Sequence, residues 1–90
     1  MKLIRLSTGE EIIGRISSTD GENSTITISN PILLIPAGEG KIGMTHFMPY
    51  GRSKDIAINA AHVMFVTEPN EDLERQVVKM TSGIELPPGV

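Results

Sequence analysis

The run Val63-Met64-Phe65-Val66 carries no charge, no Pro and no Gly. A strand left at the edge of a sheet is normally blunted by Lys, Pro or a bulge, because its free N–H and C=O groups invite other chains to pair. This one needs a cover. It also follows closely on another strand. Ile56 and Ile58 share one face of a short segment from Asp55, Asn59-Ala60-Ala61 make a tight turn, and the apolar strand begins at Val63. Two strands joined so closely near the end of a small β-rich chain are what closes a small barrel. A second copy of the chain is the economical cover for the last strand, which makes Val63, Met64, Phe65 and Val66 the expected oligomer interface.

Ninety residues provide one domain and a single modest core. The chain has no Cys, which excludes a disulfide framework and a thiolate metal site. Phe47, Tyr50 and Phe65 are its whole aromatic set. A chain this short without staples often completes its burial by oligomerising. No apolar run approaches the ~18 residues of a membrane span. Met1-Lys2 leads directly into a strand rather than into a long apolar leader, so a cytoplasmic location is expected. Asn23-Ser24-Thr25 fits the glycosylation triplet but without a leader has no role as one.

The net charge of −3 is unevenly spread. Lys2, Arg5, Arg15, Lys41, Arg52 and Lys54 balance Glu10, Glu11, Asp20, Glu22, Glu39 and Asp55 over residues 1–66. Beyond them, Arg75 and Lys79 face Glu68, Glu71, Asp72, Glu74 and Glu85. The β part is neutral and the C-terminal part acidic. A neutral body binds a polyanion only through a local patch.

Taken in order, Lys2–Leu6 is a strand ended by the turn Ser7-Thr8-Gly9. Glu10–Ser17 follows, with Ile12, Gly14 and Ile16 on one face and Ile13 and Arg15 on the other; a strand-interior Gly14 marks a bend. Ser18–Asn23 is a turn. Thr25–Ile35 places Ile26, Ile28, Ile32 and Leu34 on one face by period-two alternation, with Pro31 requiring a bend, bulge or edge. After a loop at Pro36–Gly40, Lys41–Met48 is again strand-like and Pro49–Lys54 interrupts it. Asn70 then caps a helix whose Leu73, Val77, Met80 and Ile84 form an apolar stripe. Gly83 suits its C-terminal cap, and Pro87-Pro88-Gly89 ends regular structure. The expected organisation is a β-domain over 1–68, a helix over 69–84 packed on the barrel or a neighbour, and a tail over 85–90.

Gly38-Glu39-Gly40-Lys41-Ile42-Gly43 spells the dinucleotide-binding pattern, but that mechanism needs a helix opening at the third glycine. Pro49 and Gly51 come too soon for one, so the segment is a glycine-rich hairpin loop. Ile42 stands where a phosphate loop needs Ser or Thr. His46 and His62 lack partners at metal-binding spacing and are structural or surface residues. Glu10 and Glu11, adjacent on a strand, point to opposite faces and share no site. With no marked nucleophile, no enzyme and no cofactor are expected.

One cluster carries chemistry. His46, Phe47, Tyr50, Arg52 and Lys54 fall within one short stretch around a Pro/Gly loop, and aromatic rings beside cations are what single-stranded nucleic acid uses. The bland alternative is a core Phe47 beside an ordinary solvated loop.

Two segments resemble a known family. Leu6-Ser7-Thr8-Gly9-Glu10-Glu11-Ile12-Ile13-Gly14-Arg15-Ile16 is similar to the first motif of the Sm/LSm group, a strand, glycine turn and second strand with an internal Gly. Ile58-Asn59-Ala60-Ala61-His62-Val63-Met64-Phe65-Val66 is similar to the second. That group includes the bacterial host-factor RNA chaperone, and small Sm-like proteins of marine phages look most alike. The resemblance implies a mainly β fold: a strongly bent SH3-like barrel of about five strands, here with one C-terminal helix. It also implies cyclic homo-oligomers of about five to seven subunits, made by edge-strand pairing, that bind single-stranded RNA or DNA around the pore. Asn59-Ala60 stands where the group carries Arg-Gly, and Asp20-Gly21-Glu22-Asn23-Ser24 lacks the apolar residue before a matching Asn. Asn23 and Asn59 are nearest to the family's RNA-contacting positions. The other expectation is a ring used for protein contacts alone, without nucleic acid.

Overall fold

The computed structural model describes the backbone of residues 1–85 and the side chains of residues 1–81, and in it the β-forming segments make six antiparallel strands. They are β1 (Lys2–Leu6), β2 (Glu11–Asp20), β3 (Thr25–Gly38), β4 (Lys41–His46), β5 (Asp55–Asn59) and β6 (Val63–Thr67), followed by α1 (Glu71–Glu85). The sheet runs β4-β3-β2-β1-β6, and β5 also lies on β3. About five strands were expected; the sixth comes from a division of one edge. β5 pairs with Thr25–Ser29 and β4 with Ile32–Gly38, so the two lie end to end along the same side of β3.

β5 and β6 belong to opposite ends of the sheet, yet only the 3-10 turn Ala60–His62 separates them. The sheet must therefore curl until its ends nearly meet. It stays open, because no ladder joins β5 to β6 among the described residues. The turn is set locally: the Asn59 Oδ1 accepts from the Ala61 N–H at 2.9 Å. His62 ties it to the first hairpin, its carbonyl accepting from the Ser7 N–H at 2.7 Å and its Nδ1 sharing a hydrogen bond with the Ser7 hydroxyl at 3.0 Å.

The curl encloses one apolar cluster of Ile4, Leu6, Ile12, Ile28 and Ile58, with Ile16, Phe47, Ile56 and Val63 packed against it. A second cluster, Ile13, Ile32, Leu34, Leu73 and Val77, lies on the other face of the sheet beneath α1. A helix of fifteen residues is marginal alone in water. Burial of Leu73 and Val77, about 1.5–3 kcal/mol for each fully buried side chain, is what holds it on the sheet. Asn70 caps it, its Oδ1 accepting from the Leu73 N–H at 2.8 Å. The helix continues through Gly83 to Glu85 rather than capping at Gly83, and the Ile84 side chain and Pro87-Pro88-Gly89 lie outside the described residues. No helix among the described residues is long and apolar enough to cross a membrane.

Two clusters correct the single face expected of Ile26, Ile28, Ile32 and Leu34. Ile26 and Ile28 face the inner cluster, Ile32 and Leu34 the helix. Between them β2 advances two residues, Ile13 to Arg15, while β3 advances three, Ile32 to Ser29. That extra residue is a bulge at Asn30-Pro31, with Asn30 left-handed at φ 49°. A one-residue slip sends every later side chain to the opposite face. Gly14 sits across from the bulge, where a Cβ would lie 2.7 Å from the Ile28 Cγ2 and 3.3 Å from the Pro31 Cα. The close approach is open only to glycine. The segment Gly38-Glu39-Gly40 is the β3–β4 hairpin turn, all three residues left-handed.

Candidate nucleic-acid interface

The bulge on β3 also shapes a concavity that gathers aromatic, polar and cationic side chains. Past His46, which pairs with Ile32, the Phe47 N–H donates to the Pro31 carbonyl at 3.0 Å. The next rung is the Asn30 N–H donating to the Lys54 carbonyl at 2.7 Å, after which Ser29 faces Asp55. Asn30 and Pro31 are consecutive, but their partners Lys54 and Phe47 are not. Residues 48–53 therefore leave the edge and return to it at the next rung. Inside this excursion the Gly51 N–H closes a turn onto the Met48 carbonyl at 3.0 Å, and the Ser53 hydroxyl accepts from the Asp55 N–H at 3.0 Å.

Beneath it lies a cleft of about 280 Å³. Pro31, Phe47 and Ile56 supply an apolar floor, with Phe47 half-buried against the inner core. Asn30, His46 and Ser53 add polar groups, and Arg52 and Lys54 add exposed cations. Among the described residues Lys2, Arg5 and Arg75 are held by Glu68, Glu11 and Asp72, whereas Arg15, Lys41, Arg52, Lys54 and Lys79 have no carboxylate within ion-pair distance, and of these Arg52 and Lys54 line the cleft. These two cations keep their charge available to a ligand.

Of the residues singled out in the sequence, His46, Phe47, Arg52 and Lys54 share this cleft. Tyr50 does not line it; its ring stands fully exposed on the excursion. Asn59 and Asn23 lie at the other end of the β3–β5 ladder, where Asn59 faces Thr25 and the Ala60 N–H donates to the Ser24 carbonyl at 2.7 Å. That is about 16 Å of strand from Asn30 at the usual rise. Both asparagines have local duties. Asn59 caps the 3-10 turn, while the Asn23 carboxamide and N–H donate to the Asp20 carboxylate at 2.7 and 3.1 Å. Those bonds, the carboxamide first, hold the Asp20 carboxyl below its ordinary range. Sequence reasoning missed Asn30, Pro31, Ser53 and Ile56. An Asn-Pro pair inside a strand signals a bulge, but which loop faces it depends on a non-local pairing.

Each outer strand pairs on one side only among the described residues: β6 with β1, and β4 and β5 with β3. Val63 turns toward the inner core, while Met64 (56 % exposed), Phe65 (63 %) and Val66 (46 %) remain open on β6. Ile42, on β4, is half exposed as well. Among the described residues no three His, Asp or Glu side chains gather as a metal site would require. No family model matches this chain, and no curated protein matches it.

Proposed function

We propose that this chain is a non-catalytic, ring-forming protein that binds single-stranded nucleic acid through the cleft beneath residues 48–53. The observation that carries this reading is the convergence of Phe47, His46 and the unpaired cations Arg52 and Lys54 on one concavity. A half-buried ring offers a face for a base, and two free cations reach phosphates. The curled sheet, with its ends joined by a 3-10 turn, fits the SH3-like barrel of the Sm/LSm group. The two one-sided edges support assembly. β6 presents Met64, Phe65 and Val66 beside unpaired backbone groups, and the β4 edge, with Ile42 half exposed, is the complementary free side. Joining one kind of edge to the other repeats head to tail and closes into a ring when the rotation permits.

Assembly makes weak patches useful. Two cations and one ring bind a strand poorly, but several copies on one strand gain by effective concentration, about a hundredfold or more. Fluorescence anisotropy with short oligo-U, oligo-A and oligo-dT at two salt concentrations tests the proposal. Binding weakens as salt rises, and the double change Arg52→Ala, Lys54→Ala reduces the slope. No binding by the oligomer at low salt and tens of micromolar protein would leave a ring that serves protein contacts.

A further inference from the structure

We infer, resting on the reading that the protein binds single-stranded nucleic acid, that each cleft holds one unstacked nucleotide, its base on the Phe47 floor and its phosphate at Arg52 and Lys54. The ligand class of the site is thus a nucleoside monophosphate unit, taken one per subunit beside the outer edge of β3, away from the Asn23–Asn59 end.

Capacity comes first. Pockets for drug-sized ligands begin at about 300 Å³. A cleft of about 280 Å³ lies just below that range, the scale of one small ligand such as a base with its sugar. It is also held in shape. Both ends of the excursion are pinned to β3 by consecutive rungs, at Pro31 and Asn30, and its inside is cross-bonded from Gly51 to Met48. A preformed site binds without first ordering a loop.

The arrangement of groups matches one nucleotide from floor to mouth. Pro31 is buried and Phe47 and Ile56 half-buried, an apolar base for the flat face of a nucleobase. Asn30 is partly buried at the wall, and a carboxamide presents a donor and an acceptor side by side, as the edge of a base does. His46 and Ser53 add further hydrogen-bonding groups. Arg52 and Lys54 are exposed at the mouth, where a phosphate stays in water. A duplex keeps its bases stacked away from such a floor, and the neutral β part has no broad basic surface to hold one. Asn59 caps the 3-10 turn, the Asn23 carboxamide donates to Asp20 and Asn70 caps α1, while Asn30 is the asparagine that lines the cleft.

Saturation-transfer NMR on the full-length protein, with UMP, AMP, uridine and inorganic phosphate as separate probes, tests this alongside oligonucleotide binding. The expected result is transfer to the base protons of UMP or AMP, weaker binding of uridine, and displacement of the mononucleotide by the oligonucleotide. Phe47→Leu, which keeps an apolar floor without the ring, should weaken both ligands about tenfold, within the range of one base–aromatic stack. Asn30→Gly keeps a residue at ease with left-handed backbone and removes only the carboxamide, so it tests the site even if Phe47→Leu fails to fold. It should lower mononucleotide affinity while melting near the wild type. If oligonucleotides bind but mononucleotides neither bind nor compete, and Asn30→Gly changes nothing, the strand is held elsewhere and the inference fails while the proposed function stands. If no oligonucleotide binds, both fail.

Discussion

Replacing Gly14 by Ala probes the bend on which both the core and the cleft depend. A Cβ there would lie 2.7 Å from the Ile28 Cγ2, 3.2 Å from the Ser29 carbonyl oxygen and 3.3 Å from the Pro31 Cα. Nonbonded carbons rest at about 3.5–4.0 Å. Ile28 is fully buried against Ile4, Leu6, Ile12 and Ile58, so its methyl has nowhere to turn. The two backbone atoms belong to the bulge itself and retreat only by disturbing it. Overpacking of this kind costs about 1–3 kcal/mol. Against that, Gly→Ala gains about 0.4–1 kcal/mol by restricting the unfolded chain. The steric term wins, for a net loss of about 1–2 kcal/mol. In a domain of this size that lowers Tm by about 4–16 °C. Gly43→Ala is the control, since its Cβ would meet only Ile35, at 3.6 and 3.7 Å in ordinary contact. It should be neutral or slightly stabilising. Chemical denaturation of the two variants at one protein concentration decides, because oligomer stability depends on concentration. A Gly14→Ala protein as stable as Gly43→Ala would refute the close-approach argument.

Leu73→Ala removes a buried side chain from the cluster beneath α1 and should cost about 2–4 kcal/mol in urea unfolding; an unchanged midpoint would mean the helix is not anchored there. The Asp20 carboxyl titrates below its ordinary range because of the Asn23 carboxamide and N–H, so its contribution to folding is present above the ordinary carboxylate pKa and fades as pH falls through the lowered value. Carboxyl-carbon NMR should find that pKa raised in Asn23→Ala, and an unchanged titration would contradict the assignment. Met64→Pro deletes a backbone donor from an edge-exposed residue of β6 and should lower the oligomer mass seen by size exclusion; retention of the wild-type mass would exclude β6 as the joining edge.

Local signals in this chain were readable because their chemistry is local. Asn59 caps its turn two residues on and Asn70 caps a helix three residues on, both within reach of the side chain itself. Gly14 announces a bend because no other residue fits one so tight. The aromatic–cation cluster was visible as neighbours in sequence. Alternation failed at Asn30-Pro31, since period two holds only while the register does, and one bulged residue reverses it. Gly83 misled because a glycine at a cap and one inside a final helical turn look alike in sequence. The cleft wall at Asn30 stayed hidden for another reason: the rung from Asn30 to Lys54 spans two strand segments with no shared motif.

Native mass spectrometry with and without a short oligo-U tests the central claim in one measurement. One species is expected at about five to seven times the 9.7 kDa of the chain, gaining the mass of a bound strand at low salt and losing it as salt rises. A 9.7 kDa monomer at micromolar concentration that carries no oligonucleotide would contradict it.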